Sequence, residues 1–115
     1  MKVASKKIKF ENTLSLECGS ILPSFELMFE TYGELNKENS NAILVCHAFS
    51  GNHHAAGESN TDSSIGWWDQ MIGPNKAIDT NKYFVVCSNN IGGCGGSSGP
   101  TSINPNNGEL YGADF

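Results

Sequence analysis

An α/β fold, in which antiparallel N-terminal strands lead into a mainly parallel sheet, is what this sequence of 115 residues predicts. Three features point to it. The run Phe25-Glu26-Leu27-Met28-Phe29-Glu30-Thr31-Tyr32 alternates with period 2, as a half-exposed strand does. Two later runs, Ala42-Ile43-Leu44-Val45-Cys46 and Tyr83-Phe84-Val85-Val86-Cys87, are apolar without alternation. Strands buried on both faces read this way and are usually parallel neighbours in the middle of a sheet. Such neighbours need a crossover, usually a helix, and residues 48 to 82 are long enough to supply one.

Taken in order, the N-terminal third reads as antiparallel β. Leu14, Leu16 and Cys18 alternate, and Gly19-Ser20 offers a turn. After Pro23 comes the alternating strand, with Phe25, Leu27, Phe29 and Thr31 on one face and Glu26, Met28, Glu30 and Tyr32 on the other. Residues 33 to 41 are a polar loop. Within the crossover the best helical piece is Gly66 to Ile72, stopped by Gly73-Pro74, with Trp68 and Ile72 four apart on one face. Core packing is the expected role of Trp67 and Trp68. Residues 89 to 112 hold seven of the thirteen glycines. A structureless loop of that length is uncommon inside a compact domain and is usually functional or disordered. Two buried parallel strands need cover on both faces, and the visible helical content is too small to give it. The sequence is therefore expected to be one part of a single, larger domain, with residues 1–115 its N-terminal portion.

Composition narrows the function classes. The net charge is −5 and there is no arginine. Nucleic-acid binding, which needs clustered positive charge, is not expected. No run approaches the ~18 apolar residues of a membrane span, and the basic N-terminus is not followed by the apolar core of a signal peptide. Cys18, Cys46, Cys87 and Cys94 form no C-x-x-C pair, and Cys46 and Cys87 lie in apolar runs. They read as reduced thiols of a cytoplasmic protein.

Three places invite a chemical reading. Gly95-Gly96-Ser97-Ser98-Gly99 matches the G-x-S-x-G nucleophile pattern, but that pattern requires a strand running straight into a helix. The preceding strand ends near Ser88, and Pro100 and Pro105 come next, so Ser97 is not expected to be a nucleophile. His47, His53 and His54 match no common zinc spacing, and no metal site is expected. His47-Ala48-Phe49-Ser50-Gly51 is the informative segment. It follows a buried strand, where open α/β sheets bind ligands, and its small residues leave backbone N–H groups able to face an oxyanion.

Several segments together resemble the homoserine O-acetyltransferases of the α/β-hydrolase superfamily. Phe29 to Asn36 is similar to their YETYGELN, His47 to Gly51 to their HALSG or HALTG loop, and Gly66-Trp67-Trp68 with Ile72 to Thr80 to GWW…IGPGKAIDT. Lys82 to Asn89 and Gly92 to Pro100 resemble RYFVICSN…GGCYGSTGP. Asn75 departs where glycine is common, and Asn52-His53-His54 departs where an acidic residue precedes a single histidine. The resemblance implies the N-terminal part of an α/β-hydrolase fold, incomplete as it stands. It implies transfer of acetyl from acetyl-CoA to the L-homoserine hydroxyl in methionine biosynthesis, by a ping-pong acyl-serine route and with no bound cofactor. It assigns the Phe49 backbone N–H to the oxyanion hole, with Ser50 and Gly51 shaping the same substrate-pocket loop. The nucleophile, its aspartate and its histidine belong to later segments, so residues 1–115 alone are expected to be inactive. Small-molecule substrates and a homodimeric complete protein are implied as partners. Homoserine or serine O-succinyltransferase, a general esterase of the same fold, and a stand-alone interaction module are the alternative readings.

Overall fold

The computed structural model describes residues 1–115. Ten strands succeed one another: β1 (Lys2–Val3), β2 (Lys6–Phe10), β3 (Leu14–Ser15), β4 (Ile21–Leu22), β5 (Phe25–Tyr32), β6 (Ala42–Val45), β7 (Glu58–Ser59), β8 (Ile72–Gly73), β9 (Ile78–Asp79) and β10 (Phe84–Ser88). A 3-10 turn at Gly112–Asp114 is the only helical element. No helix is long and apolar enough to cross a membrane. The chain divides into two compact units: residues 1–6 with 29–88, and residues 7–28 with 89–115.

The first unit is built on β10. This strand pairs antiparallel with the second half of β5, setting Val85 opposite Tyr32 and Cys87 opposite Glu30. On its other side it pairs parallel with β6, setting Val85 opposite Ile43 and Cys87 opposite Val45. The antiparallel-to-parallel change expected from the sequence is therefore present. Val3, Tyr32, Val45, Ala55, Ala56, Ile72, Val85 and Cys87 form the core, with Ile43 and Ile78 packed against it. Burial of the Cys87 thiol pushes its pKa up to about 11, so it stays protonated at neutral pH. Short parallel pairs, β1 with β7 and β8 with β9, close the periphery.

Two expectations need correction in this unit. Residues 66 to 72 do not form a helix. Trp67 N–H and Trp68 N–H donate to the carbonyls of His54 and Ala55, and the segment makes only short turns, from Asp69 N to Gly66 O and from the amides of Met71 and Ile72 to Trp68 O. The two indoles are not core: Trp67 is 45% and Trp68 39% exposed, and they stack on each other with centroids 5.7 Å apart. Within this chain β6 is the outer strand of its sheet. Leu44 on it is 67% exposed, and the 46–83 crossover contains no helix.

In the second unit β2 lies beside β5, and Phe10 stacks on Phe25. The β3–β4 hairpin turns at Gly19, whose φ of +90° suits glycine. The glycine-rich stretch is tied down by turns and by a bridge between Ile103 and Leu110.

Candidate functional site

The turn after β6 has a simple construction. Gly51 N–H donates to Ala48 O at 2.8 Å and closes it. The amides of Phe49 and Ser50, at the two central positions, donate to no group of the chain. The Phe49 side chain is fully exposed, so any role at this position falls to its backbone. A Cβ on Gly51 would lie 3.1 Å from His47 Cβ and 3.2 Å from Ala48 O. A larger residue there would open the turn. The imidazole of His47 packs along the same turn, with Nδ1 2.7 Å from Ala48 O.

Beyond the turn, residues 53 and 54 enter a buried polar cluster that the sequence did not reveal. Glu30 is 1% exposed, yet its carboxylate is fully partnered. Oε1 accepts from Ser5 Oγ at 3.0 Å; Oε2 accepts from Tyr32 Oη at 2.7 Å and from His54 Nδ1 at 2.9 Å. His54 Nε2 faces Ser64 O at 2.9 Å. Both ring nitrogens thus point at groups that only accept, which assigns His54 as an imidazolium beside a buried carboxylate. Burial lowers the His54 pKa, but the hydrogen bonds to Glu30 and Ser64, with the charges of Glu30 and Asp62, outweigh it and hold it above the ordinary value. His53 behaves oppositely. Ser5 gives its one proton to Glu30, so its oxygen accepts from His53 Nε2 at 2.8 Å and leaves Nδ1 bare and buried. Burial holds the His53 pKa below the ordinary value, although Glu30 pulls it upward. An unpaired buried carboxylate costs several kcal/mol, and these contacts are what permit Glu30 to sit there.

Tyr32 extends the cluster into the backbone. Its hydroxyl accepts from the amides of Ala55, at 2.9 Å, and Ala56, at 3.2 Å, while donating to Glu30. The phenol pKa is raised by burial and by the neighbouring carboxylate, so it serves as a neutral donor. The face of β5 that carries Glu30 and Tyr32 is therefore the buried one in this unit, although its residues are the more polar. Its partners lie more than twenty residues away, which no alternation pattern can show. No group of three or more His, Cys, Asp or Glu is arranged to hold a metal ion.

In the second unit, Ser97 is buried and committed to structure. Its Oγ donates to Asn89 O at 2.6 Å and accepts from Met28 N at 2.9 Å. Ser98 repeats the pattern one step along, its Oγ accepting from Glu26 N at 2.8 Å and its amide donating to Glu26 O. The serine pair pins the glycine-rich loop to the first half of β5.

Comparison with known proteins gives this geometry its context. No family model matches the chain. A homoserine O-succinyltransferase from Halorhodospira halophila is 61% identical over 114 residues, which are 98% of this chain and 30% of that protein. The crystal structure of homoserine O-acetyltransferase from Bacillus anthracis superposes with a TM-score of 0.82 at 44% identity, over 97% of this chain and 32% of that one. The crystal structure of esterase E22 gives the same TM-score at 37% identity, over 96% and 32%. The chain thus spans about a third of the length of the proteins it matches. Over nearly its whole length it is homologous to the homoserine O-acyltransferases, and its fold is the corresponding part of the α/β-hydrolase fold.

Proposed function

We propose that residues 1–115 are the N-terminal portion of the catalytic domain of a homoserine O-acyltransferase and supply one half of its oxyanion hole. The observation that carries this is the Ala48–Gly51 turn, with its unengaged Phe49 amide just after a strand parallel to its neighbour. In the reaction, a serine from outside this segment attacks the thioester carbonyl of an acyl-CoA, and its proton passes to a base while CoA leaves. The homoserine hydroxyl then attacks the acyl-serine and releases the free serine. Negative charge develops on the carbonyl oxygen in both steps. A fixed amide aimed at that oxygen stabilises both transition states, a donor being worth roughly 2.7–4 kcal/mol. The curated relative at 61% identity transfers succinyl, whereas the structural neighbour at 44% transfers acetyl, as their names state. The higher identity favours succinyl-CoA as donor over the acetyl-CoA that the sequence motifs put first.

The test uses the natural gene product carrying this segment, assayed with homoserine and either acyl-CoA. Phe49→Pro removes the amide proton and is expected to lower kcat by about 10²–10³-fold. Phe49→Ala keeps the amide and is expected to leave kcat within about twofold, on the order of the small effects seen at exposed positions. Equal losses in both variants would mean that the side chain, not the amide, matters. The esterase E22 match supports a second reading, hydrolysis of acyl esters. Faster transfer to water than to homoserine would establish it.

A further inference from the structure

We infer that Gly66-Trp67-Trp68 is the positioning element of the Ala48–Gly51 turn, with the Trp67 indole N–H as its contact; this rests on the oxyanion reading above. The turn itself has one internal hydrogen bond, from Gly51 to Ala48. The His47 ring lies against Ala48 O at 2.7 Å, and the two ends of the turn are held as well. One end is β6. The other is Asn52, whose carbonyl accepts from Trp67 Nε1 at 2.9 Å and whose Oδ1 accepts from His54 N at 2.9 Å. The Cys87 thiol reaches the same carbonyl only at 3.9 Å, as a weak donor.

The indole is itself held from behind. Gly66 N–H donates to Gly57 O at 2.9 Å, Trp67 N–H to His54 O at 3.2 Å and Trp68 N–H to Ala55 O at 2.7 Å, zipping the segment onto residues 54–57. Any side chain at 66 would collide with the backbone of Ala55 and Ala56, so glycine is what allows this approach. The opposite side of residues 53–56 is clamped by Tyr32 and by the Glu30–His54 pair. Stacking on Trp68 restricts the Trp67 ring in turn. Trp67 is nearly half exposed in this chain, and its indole N–H is committed to Asn52. Without that donor the Asn52 carbonyl turns to water, and the Phe49 amide loses its fixed direction.

The experiment compares Trp67→Phe with Trp68→Phe, since both replace an indole by a phenyl ring but only the first removes a hydrogen bond to the turn. Backbone 15N relaxation at Ala48–Gly51 is expected to show lower order parameters in Trp67→Phe than in Trp68→Phe, which keeps the indole hydrogen bond to Asn52. In the natural gene product, the burst of acyl-serine formation from succinyl-CoA is expected to slow roughly 10- to 100-fold in Trp67→Phe. Its amplitude, which counts intact sites, and the KM for succinyl-CoA stay as in the parent. Equal order parameters in the two variants, or a reduced amplitude with an unchanged rate constant, would overturn the inference. A parent without acyl-transfer activity sinks the functional reading instead, and the relaxation comparison still decides the positioning role.

Discussion

Removing a single oxygen, in Tyr32→Phe, puts the buried cluster to its hardest test. The ring stays the same size, so no cavity opens and the packing around it is kept. Two polar contacts are lost without replacement. Glu30 Oε2 loses a 2.7 Å donor inside the core, and a hydrogen bond to a charged group is worth about 1.5–3 kcal/mol. Ala56 N–H, fully buried, loses its acceptor, and an orphaned buried amide costs about 1–3 kcal/mol. Ala55 suffers less, because its amide also reaches His53 O at 2.9 Å. Together these give a destabilisation of about 2.5–6 kcal/mol. Trp67 and Trp68 are the only tryptophans, and both belong to the first unit, so their fluorescence follows its unfolding in urea. With a slope of about 2 kcal/mol per molar urea, the midpoint should fall by about 1.2–3 M. Tyr83→Phe, at an exposed tyrosine, serves as the control and should move it by no more than about 0.25 M, the ordinary effect of a surface change. A Tyr32→Phe midpoint within about 0.5 M of the parent, corresponding to about 1 kcal/mol, would refute these magnitudes and with them the claim that this hydroxyl completes the Glu30 site.

Two further predictions concern titration and the serine motif. His54, with its pKa raised in the fold, contributes stability that is complete below the ordinary histidine value of 6.5 and is lost as pH rises through the folded value. His53, with its pKa lowered, contributes stability present above 6.5 and lost as pH falls through the folded value. The urea midpoint between pH 5 and 8.5 should therefore peak near 6.5, and His54→Gln should flatten only the alkaline side; a profile rising or falling throughout contradicts these assignments. Ser97, held by two backbone partners, should resist a fluorophosphonate probe that labels activated serines, while Ser97→Ala should cost about 1–3 kcal/mol by stranding the Met28 amide. Labelling at Ser97 in the mass spectrum would restore it as a nucleophile.

Much of the scaffold was legible because its signals are local. Alternation marks β5 over its full observed length, and the two uninterrupted apolar runs mark β6 and β10 with their parallel pairing. The exposed turn after β6 was legible from its place at a strand end. The segment from Gly66 to Ile72 misled because spacing of four between Trp68 and Ile72 is satisfied by a single turn. Its first residues act instead as donors to residues 54–57, a partner that only the folded chain identifies. The same limit hid the polar cluster. Glu30 looks like a solvent-facing strand residue until Ser5, His53 and His54 are brought to it across long stretches of sequence.

The contrast between Cys46 and Cys87 has a practical consequence. Cys87 is buried and stays protonated, whereas Cys46 is exposed where β6 ends, three residues before Phe49. A maleimide or nitroxide reagent will therefore discriminate between these two thiols without any engineered cysteine. With exposed Cys18 and Cys94 replaced by serine, the surviving label sits beside the turn that carries the Phe49 amide. The fold thus comes with a spectroscopic reporter already placed next to the element whose order it would report.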